Sequence, residues 1–174
     1  MADGGSGERK VGQFRALSET TVEDWAGIAQ ADADYARGLP GFLLGHLGLL
    51  RDERHGHAID RYEHSLQSAT RALRDRRDEE YVVCALFHDI GSALAPQSHD
   101  AFASMILAPF VSEQNHWMVS NHGVFTGYYF FHFFGVDRNA RDQFRGHPHF
   151  EYTAQFCHLY DQAAFDPDYA SLPL

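Results

Sequence analysis

The sequence predicts an all-α protein with about seven to nine helices. Apolar residues such as Leu66, Ala69 and Leu73 recur at helical spacing within charged segments. The sequence has no convincing strand alternation, and helix-capping and helix-stopping residues separate its apolar segments. The chain has 174 residues, of which 44% are hydrophobic, and this is enough for one domain with a buried core.

The N-terminal part is predicted to be a flexible arm followed by the first helix. Residues 1–19 begin with a polar, glycine-rich stretch and form the predicted arm, whereas residues 20–174 form a single predicted domain. Thr21 resembles the N-cap of the first helix, with Asp24 at the capping-box position. The helix is expected to end before Gly38.

Further helices are predicted where apolar residues follow capping residues and precede glycine or proline. These predicted helices cover residues 42–50, 59–76, 79–89, 99–107, 111–121 and 150–164. Residues 124–134 are rich in aromatic side chains, and an apolar run of this length also fits a strand. Residues 165–174 contain two prolines and are predicted to be a tail.

The charge and composition exclude several classes of partner. A net charge of −10 argues against nucleic acid and anionic membrane surfaces, because both require a basic surface. No apolar run reaches the length of about 18 residues typical of a membrane span, and no apolar leader follows the N-terminus, so we expect a cytoplasmic protein. Cys84 and Cys157 lie in apolar helical contexts and are predicted to be buried free thiols.

Histidine and aspartate side chains near predicted helix ends suggest a metal site. The chain has 12 histidines, which is a high number for its length and raises the expectation of metal binding. A helical bundle can bring such side chains together in its core, and the set suits iron, manganese, cobalt or zinc. Each histidine taken singly is more often structural than metal-ligating. The candidate ligands are His64, His88, Asp89, His99, His122 and Asp161.

Two local strings and the order of the ligands resemble the HD-domain superfamily, an all-α metal-binding fold. The string CALFHDIG at residues 84–91 is similar to its AALLHDIG hallmark, and YEHSLQSA at residues 62–69 is similar to its first-histidine helix. The order His64, His88-Asp89, Asp161 matches the H…HD…D signature. The resemblance covers about residues 55–165 and implies an HD-domain helical bundle with a dinuclear metal site in its core.

The additional histidines make the sequence most similar to the mixed-valent diiron oxygenase branch, which is related to inositol oxygenase. The resemblance implies that His64, His88, Asp89 and Asp161 hold one iron. It implies that Asp89 bridges to a second iron, which His99 and His122 also hold. The implied cofactor is an Fe(II)/Fe(III) pair, with manganese, zinc or magnesium as alternatives.

The activity implied by this branch is oxidoreductase chemistry on a small molecule with O2. The enzyme would cleave a C–P or C–C bond next to a hydroxyl-bearing carbon, and the substrate that this branch suggests is a hydroxylated (trimethylammonio)ethylphosphonate-like zwitterion. The alternative is an HD-type metal-dependent phosphohydrolase acting on a nucleotide or phosphate ester. The sequence leaves the oligomeric state open.

The residues expected to contact the substrate depart from those of the phosphonate-cleaving enzymes. Arg54 and His57 align with a metal-contacting tyrosine and glutamate, and Thr126 aligns with a phosphonate-binding lysine. His57 and Asp89 are the predicted catalytic residues. The predicted substrate-binding residues are Arg54, Thr126, Tyr128, Tyr129 and Arg138. Aromatic side chains in residues 125–134 fit either core packing or a cage for a cationic substrate.

Overall fold

The computed structural model describes residues 12–52 and 54–174, and this part of the chain is helical. It contains seven α-helices and no strand within those residues, which confirms the all-α prediction. The helices are α1 (Val22–Arg37), α2 (Leu39–Leu47), α3 (Arg61–Arg74), α4 (Glu79–Phe87), α5 (His99–Leu107), α6 (Glu113–Thr126) and α7 (Phe150–Phe156). Short 3₁₀ turns connect several of them, and a π-type turn, Cys157–Asp161, follows α7.

The chain divides into two compact units, Met1–Gly45 and His46–Leu174. In the first unit, α1 begins with the predicted capping box. The backbone N–H of Asp24 donates to Thr21 Oγ1 at 3.2 Å, and the Thr21 N–H donates to Asp24 Oδ2 at 2.9 Å. Residues 1–11 of the predicted arm lie outside the described residues. The single domain over residues 20–174 stays a prediction.

The second unit is built from packed helix pairs whose starts are fixed by side-chain caps. Helix α3 packs against α4, α5 against α6, and α6 against α7. Asp60 caps α3 by accepting the Glu63 N–H at 2.8 Å, and Asp78 caps α4 by accepting the Tyr81 N–H at 2.8 Å. Each cap fixes the residue at which the helix begins, and His64 lies one turn after the start of α3 with its side chain in the core.

The aromatic stretch at residues 124–134 is helical, and the strand alternative is wrong. Its first residues complete α6, which runs five residues beyond the predicted end at residue 121. The rest forms two 3₁₀ turns, Gly127–Tyr129 and Phe131–Phe134. A Cβ atom at Gly127 would overlap the ring of Phe131, so a larger residue there would force this ring to move.

The C-terminal segment, residues 165–174, is bound along α3, although it was predicted to be a tail. The Gln67 side chain donates to the Asp166 carbonyl at 2.6 Å and accepts the Asp166 N–H at 3.3 Å. Thr70 Oγ1 accepts the Leu172 N–H at 3.0 Å, and the Arg71 guanidinium lies 4.0 Å from the ring centroid of Tyr169. Proline excludes a helix here, but backbone hydrogen bonds to buried side chains still order the segment.

Within the described residues, no helix is both long enough and apolar enough to cross a membrane.

Cys84 and Cys157 are free and buried, as the sequence predicts. Burial raises the pKa of the Cys84 thiol to about 12, with a smaller contribution from Glu80, and burial raises the pKa of Cys157 well above its usual value.

Both thiols are therefore expected to resist modification in the folded protein. A disulfide reagent such as 5,5′-dithiobis(2-nitrobenzoate) at pH 8 should release almost no thiolate from the native chain, because only the deprotonated and accessible form reacts. The same assay in guanidinium chloride should titrate both cysteines. Rapid reaction of either thiol without denaturant would contradict the burial of these side chains.

Candidate metal centre

His64 and His88 bring two imidazole nitrogens together between α3 and α4. His64 lies on α3 and His88 directly follows α4, and both side chains are completely buried. Their Nε2 atoms are 3.1 Å apart. The packing of these two helices therefore places one imidazole from each at a common point.

Asp161 completes a first group of ligand atoms with these histidines. Its Oδ1 atom lies 3.5 Å from His64 Nε2 and 3.8 Å from His88 Nε2. The π-type turn after α7 supplies this carboxylate, and the Thr126 hydroxyl donates a hydrogen bond to its other oxygen. The two histidines and Asp161 each offer one atom within 4.8 Å of the others, which is a spacing that could hold a metal ion.

Asp89 lies between this first group and a second one. His88, Asp89 and His122 form the second buried group of ligand atoms within 4.8 Å of one another. Asp89 Oδ1 lies 3.4 Å from His122 Nε2 and 3.3 Å from His99 Nε2, while its Oδ2 lies 3.6 Å from His64 Nε2. The two oxygens of one carboxylate thus face histidines of both groups.

His99 stands beside the second group and is more exposed than the other ligands. Its Nε2 atom is 3.2 Å from His122 Nε2, and 28% of its side chain is exposed. The start of α5 reaches this position because Gly91 has no side chain. A Cβ at Gly91 would lie 2.6 Å from the His99 carbonyl oxygen, so a larger residue would displace α5 and its histidine.

All four histidines have the same tautomer, because each Nδ1 faces a backbone carbonyl oxygen. A carbonyl only accepts hydrogen bonds, so each Nδ1 carries a proton, and in the neutral form of each ring the lone pair of Nε2 points toward the cluster. The pairs are His64 with Ala164 at 3.0 Å, His88 with Ala85 at 2.8 Å, His99 with Pro96 at 3.2 Å and His122 with Val119 at 2.8 Å.

The cluster therefore places hydrogen-bond acceptor atoms next to other hydrogen-bond acceptor atoms. Nitrogen lone pairs and carboxylate oxygens within 3.1 to 3.8 Å of one another are not satisfied without a cation between them. Arg61 supplies one donor, since its Nη1 atom lies 3.0 Å from Asp89 Oδ2. The remaining positions fit metal ions of hard to borderline character, which accept imidazole nitrogen and carboxylate oxygen together.

The two carboxylates of the cluster are held in the ionised form. Burial by itself would raise the pKa of Asp89, but the charge of His88, the hydrogen bond from His122 and the charges of His64 and Arg61 hold it well below its usual range. Asp161 behaves in the same way. Burial opposes its ionisation, yet the hydrogen bond and charge of His88 outweigh burial and lower the pKa of Asp161 to about 2.

The pKa values of His64 and His122 shift in opposite directions. Burial lowers the pKa of His64 to about 4, because desolvation outweighs its attraction to Asp89. Burial also opposes charge on His122, but its hydrogen bond to Asp89 and their attraction raise its pKa to about 9. A proton on His122 is thus the simplest cation that this part of the cluster accepts, and metal binding would release it.

A cavity of about 780 Å³ opens beside the cluster. Four of the predicted ligands, Asp89, His99, His122 and Asp161, belong to its lining. Of the other predicted site residues, His57, Thr126 and Tyr129 also line it. His57 stacks on the ring of Phe165 at 4.8 Å between centroids.

The structure does not bring the remaining predicted substrate-binding residues to this cavity. Arg54 is exposed in the loop before α3, where its carbonyl accepts the His57 N–H at 2.8 Å. Tyr128 lies under the guanidinium groups of Arg138 and Arg141, at 4.2 and 3.9 Å from its ring centroid. Cation–π stacking at the surface thus holds Tyr128 and Arg138 outside the lining.

Two residues of the site had only weak signals in the sequence. In the sequence, Arg61 is one of several charged residues on α3, yet in the structure its guanidinium donates a hydrogen bond to the Asp89 carboxylate. Phe165 lies beyond the last predicted helix, yet its ring stacks on His64 at 4.4 Å between centroids and forms part of the cavity wall. The position of Arg61, three residues before the first ligand on one helix, could have indicated its proximity.

Comparison with known proteins adds no family assignment. A scan against models of protein families gives no match, and a search of curated proteins gives none. The HD-domain resemblance therefore stays a prediction that depends on the ligand positions and their order.

The hydrogen bonds of Gln67 are expected to hold the C-terminal part of the site in place. Gln67→Leu leaves the Asp166 backbone groups without these partners, so it should lower the free energy of unfolding by about 1–3 kcal/mol. Urea denaturation would measure the change, and protease digestion should cut residues 165–174 sooner. Gln143→Leu is the matched control because Gln143 is exposed and bonds only locally to Ala140; its effect should be under about 0.5 kcal/mol. Equal stability of the two variants would contradict the anchoring by Gln67.

Proposed function

We propose that this protein is an HD-domain dinuclear metalloenzyme and, specifically, an O2-dependent diiron oxygenase. The observation that carries the proposal is the position of Asp89, whose two oxygens face histidines on either side of it. A carboxylate so placed is suited to bridge two metal ions, as carboxylates do in other helical di-metal proteins. The order of the six ligands along the chain supports the same assignment.

The character of the cavity favours oxygenase chemistry over the phosphohydrolase alternative. A phosphate ester needs cationic side chains that bind its negative oxygens. Within the described part of the chain, Arg61 is the one lysine or arginine among the lining residues, and it already bonds Asp89. The remaining wall is largely aromatic, which suits a reaction from which water must be excluded.

The residues of the chain have distinct tasks in the proposed reaction. An Fe(II)/Fe(III) pair, when bound, would supply the O2-dependent oxidation that precedes C–C or C–P cleavage. The four histidines would hold the ions through Nε2, and the backbone carbonyls at their Nδ1 atoms fix the ring orientation. Thr126 holds one oxygen of Asp161, and Arg61 holds one oxygen of Asp89, so neither carboxylate is free to rotate.

His57 is the proposed proton acceptor for the substrate hydroxyl. It lines the cavity and stacks on Phe165, so its ring has a defined position. Partial burial, together with the positive charges of Arg61 and His55, lowers its pKa from the usual value. The ring is therefore largely neutral at neutral pH, which is the form that accepts a proton.

The metal stoichiometry tests the assignment of the ligands. The wild-type protein, purified without chelator, should contain about two metal ions per chain, and His99→Ala should retain about one because His99 serves only the second group. Inductively coupled plasma mass spectrometry gives the count. His132→Ala is the control, since His132 is exposed and outside the cluster. Two ions in His99→Ala would show that His99 is not a ligand.

The metal identity and the reaction test the oxygenase proposal. Protein expressed with iron should give a mixed-valent electron paramagnetic resonance signal on partial reduction, and it should consume O2 with a suitable hydroxylated substrate. An oxygen electrode measures the uptake, with His64→Ala as the inactive control. Zinc, manganese or magnesium occupancy with phosphatase turnover and no O2 uptake would instead support the phosphohydrolase.

A further inference from the structure

The cavity beside the cluster has a polar end and an aromatic end. The ligand carboxylates and imidazoles form the polar end, together with the Thr126 hydroxyl. The aromatic end is formed by phenylalanines in and between the two 3₁₀ turns after α6. These side chains are Phe130, Phe131, Phe133 and Phe134.

Several phenylalanines of the aromatic end are exposed to solvent. Phe133 and Phe134 are 77% and 76% exposed, and Phe130 is 41% exposed. Leaving large apolar side chains in water around a cavity mouth is unfavourable, and such a patch is typical of a binding surface. A ligand that fills the mouth would cover them, which makes the aromatic end a binding surface for an apolar group.

The charges around the cavity argue against an anionic ligand group at this end. Within the described lining, Arg61 is the one lysine or arginine, and its Nη1 atom lies 3.0 Å from Asp89 Oδ2. Asp100, an acidic residue in the lining outside the candidate ligands, accepts the Ala101 N–H at 2.7 Å. A phosphonate or carboxylate at the aromatic end would therefore find no guanidinium or ammonium partner among these residues.

A cationic ligand group is disfavoured by the arginines next to the tyrosines. The guanidinium groups of Arg138 and Arg141 lie 4.2 and 3.9 Å from the ring centroid of Tyr128. Tyr129 lines the cavity, and its ring is 5.3 Å from that of Tyr128. A quaternary ammonium bound at Tyr129 would be repelled by the guanidinium charges of Arg138 and Arg141, which already stack on the neighbouring Tyr128 ring.

We propose that the substrate of this site is a hydroxylated small molecule with an uncharged hydrocarbon tail. The inference depends on the proposed function, because the hydroxyl group is placed at the metal cluster. The tail lies against the phenylalanines of the aromatic end, and the cavity of about 780 Å³ is large enough to enclose a molecule of drug-like size. The zwitterion implied by the sequence resemblance fits the aromatic end less well, because it carries both a cationic and an anionic group.

Calorimetric binding of three matched alcohols tests the proposal. The probes are 2-phenylethanol, choline and 2-hydroxyethylphosphonate, which share a hydroxyethyl group and carry a neutral phenyl, a cationic trimethylammonio and an anionic phosphonate substituent, respectively. Titrations use the full-length protein with its metals and without O2. We expect 2-phenylethanol to bind about tenfold or more tighter than either charged probe. Equal affinities, or tighter binding of choline or of the phosphonate, would overturn the proposal.

Variants of the exposed phenylalanines locate the binding surface. Phe134→Ser and Phe133→Ser should each weaken 2-phenylethanol binding about threefold to tenfold and leave 2-hydroxyethylphosphonate binding unchanged. Both side chains are largely exposed, so neither substitution should affect folding. Phe110→Ser is the matched control, because Phe110 is 62% exposed and outside this cavity. If Phe110→Ser weakened binding as much as the other two, the aromatic end would not be the binding surface.

These titrations are independent of turnover, so they separate the two proposals. Preferential binding of 2-phenylethanol in a protein that contains no iron and consumes no O2 would support the hydrocarbon tail and refute the oxygenase. Iron-dependent O2 uptake without that preference would refute only the hydrocarbon tail.

Discussion

Four hydrogen bonds between imidazole Nδ1 atoms and backbone carbonyls determine the chemistry of the core. Each bond fixes the tautomer of its ring, so the Nε2 lone pairs of four histidines converge on two carboxylates. Three of the carbonyls come from the same helix or from the loop just before it, three residues upstream of the histidine. The fourth belongs to Ala164, which lies far from His64 in sequence. The arrangement of acceptor atoms in this cluster therefore depends on the backbone carbonyls as much as on the side chains.

The surrounding helices position the side chains of this cluster, and contacts from them offset part of its negative charge. Side-chain caps begin α3 and α4 at fixed residues, and the contact between these helices brings His64 and His88 together. Gly91 lets α5 approach closely enough for its first residue to reach Asp89. Arg61 offsets part of the negative charge at the central carboxylate. Burying several acceptors costs free energy, and these contacts recover part of it.

Most helices, and the histidine and aspartate side chains that cluster in the core, could be predicted from the sequence because their signals are local. Caps at Thr21 and Asp78 and the apolar spacing on α3 each depend on a few neighbouring residues. The six candidate ligands followed from the order of short motifs. The course of residues 165–174 and the exclusion of Arg54 from the cavity could not be predicted, since both depend on contacts between distant parts of the chain. The aromatic stretch after α6 was ambiguous because an apolar run lacks the periodicity that separates helix from strand.

The bond between His64 and the Ala164 carbonyl spans 100 residues. During synthesis on the ribosome, α3 and α4 emerge long before the π-type turn that supplies Asp161. A nascent chain therefore has His64 and His88 before it has the Asp161 carboxylate and the Ala164 carbonyl that orients His64. Contacts of such high sequence separation also slow folding, since the loop must close before they stabilise it. The six candidate ligands therefore come together late in folding, after the chain has folded back along α3.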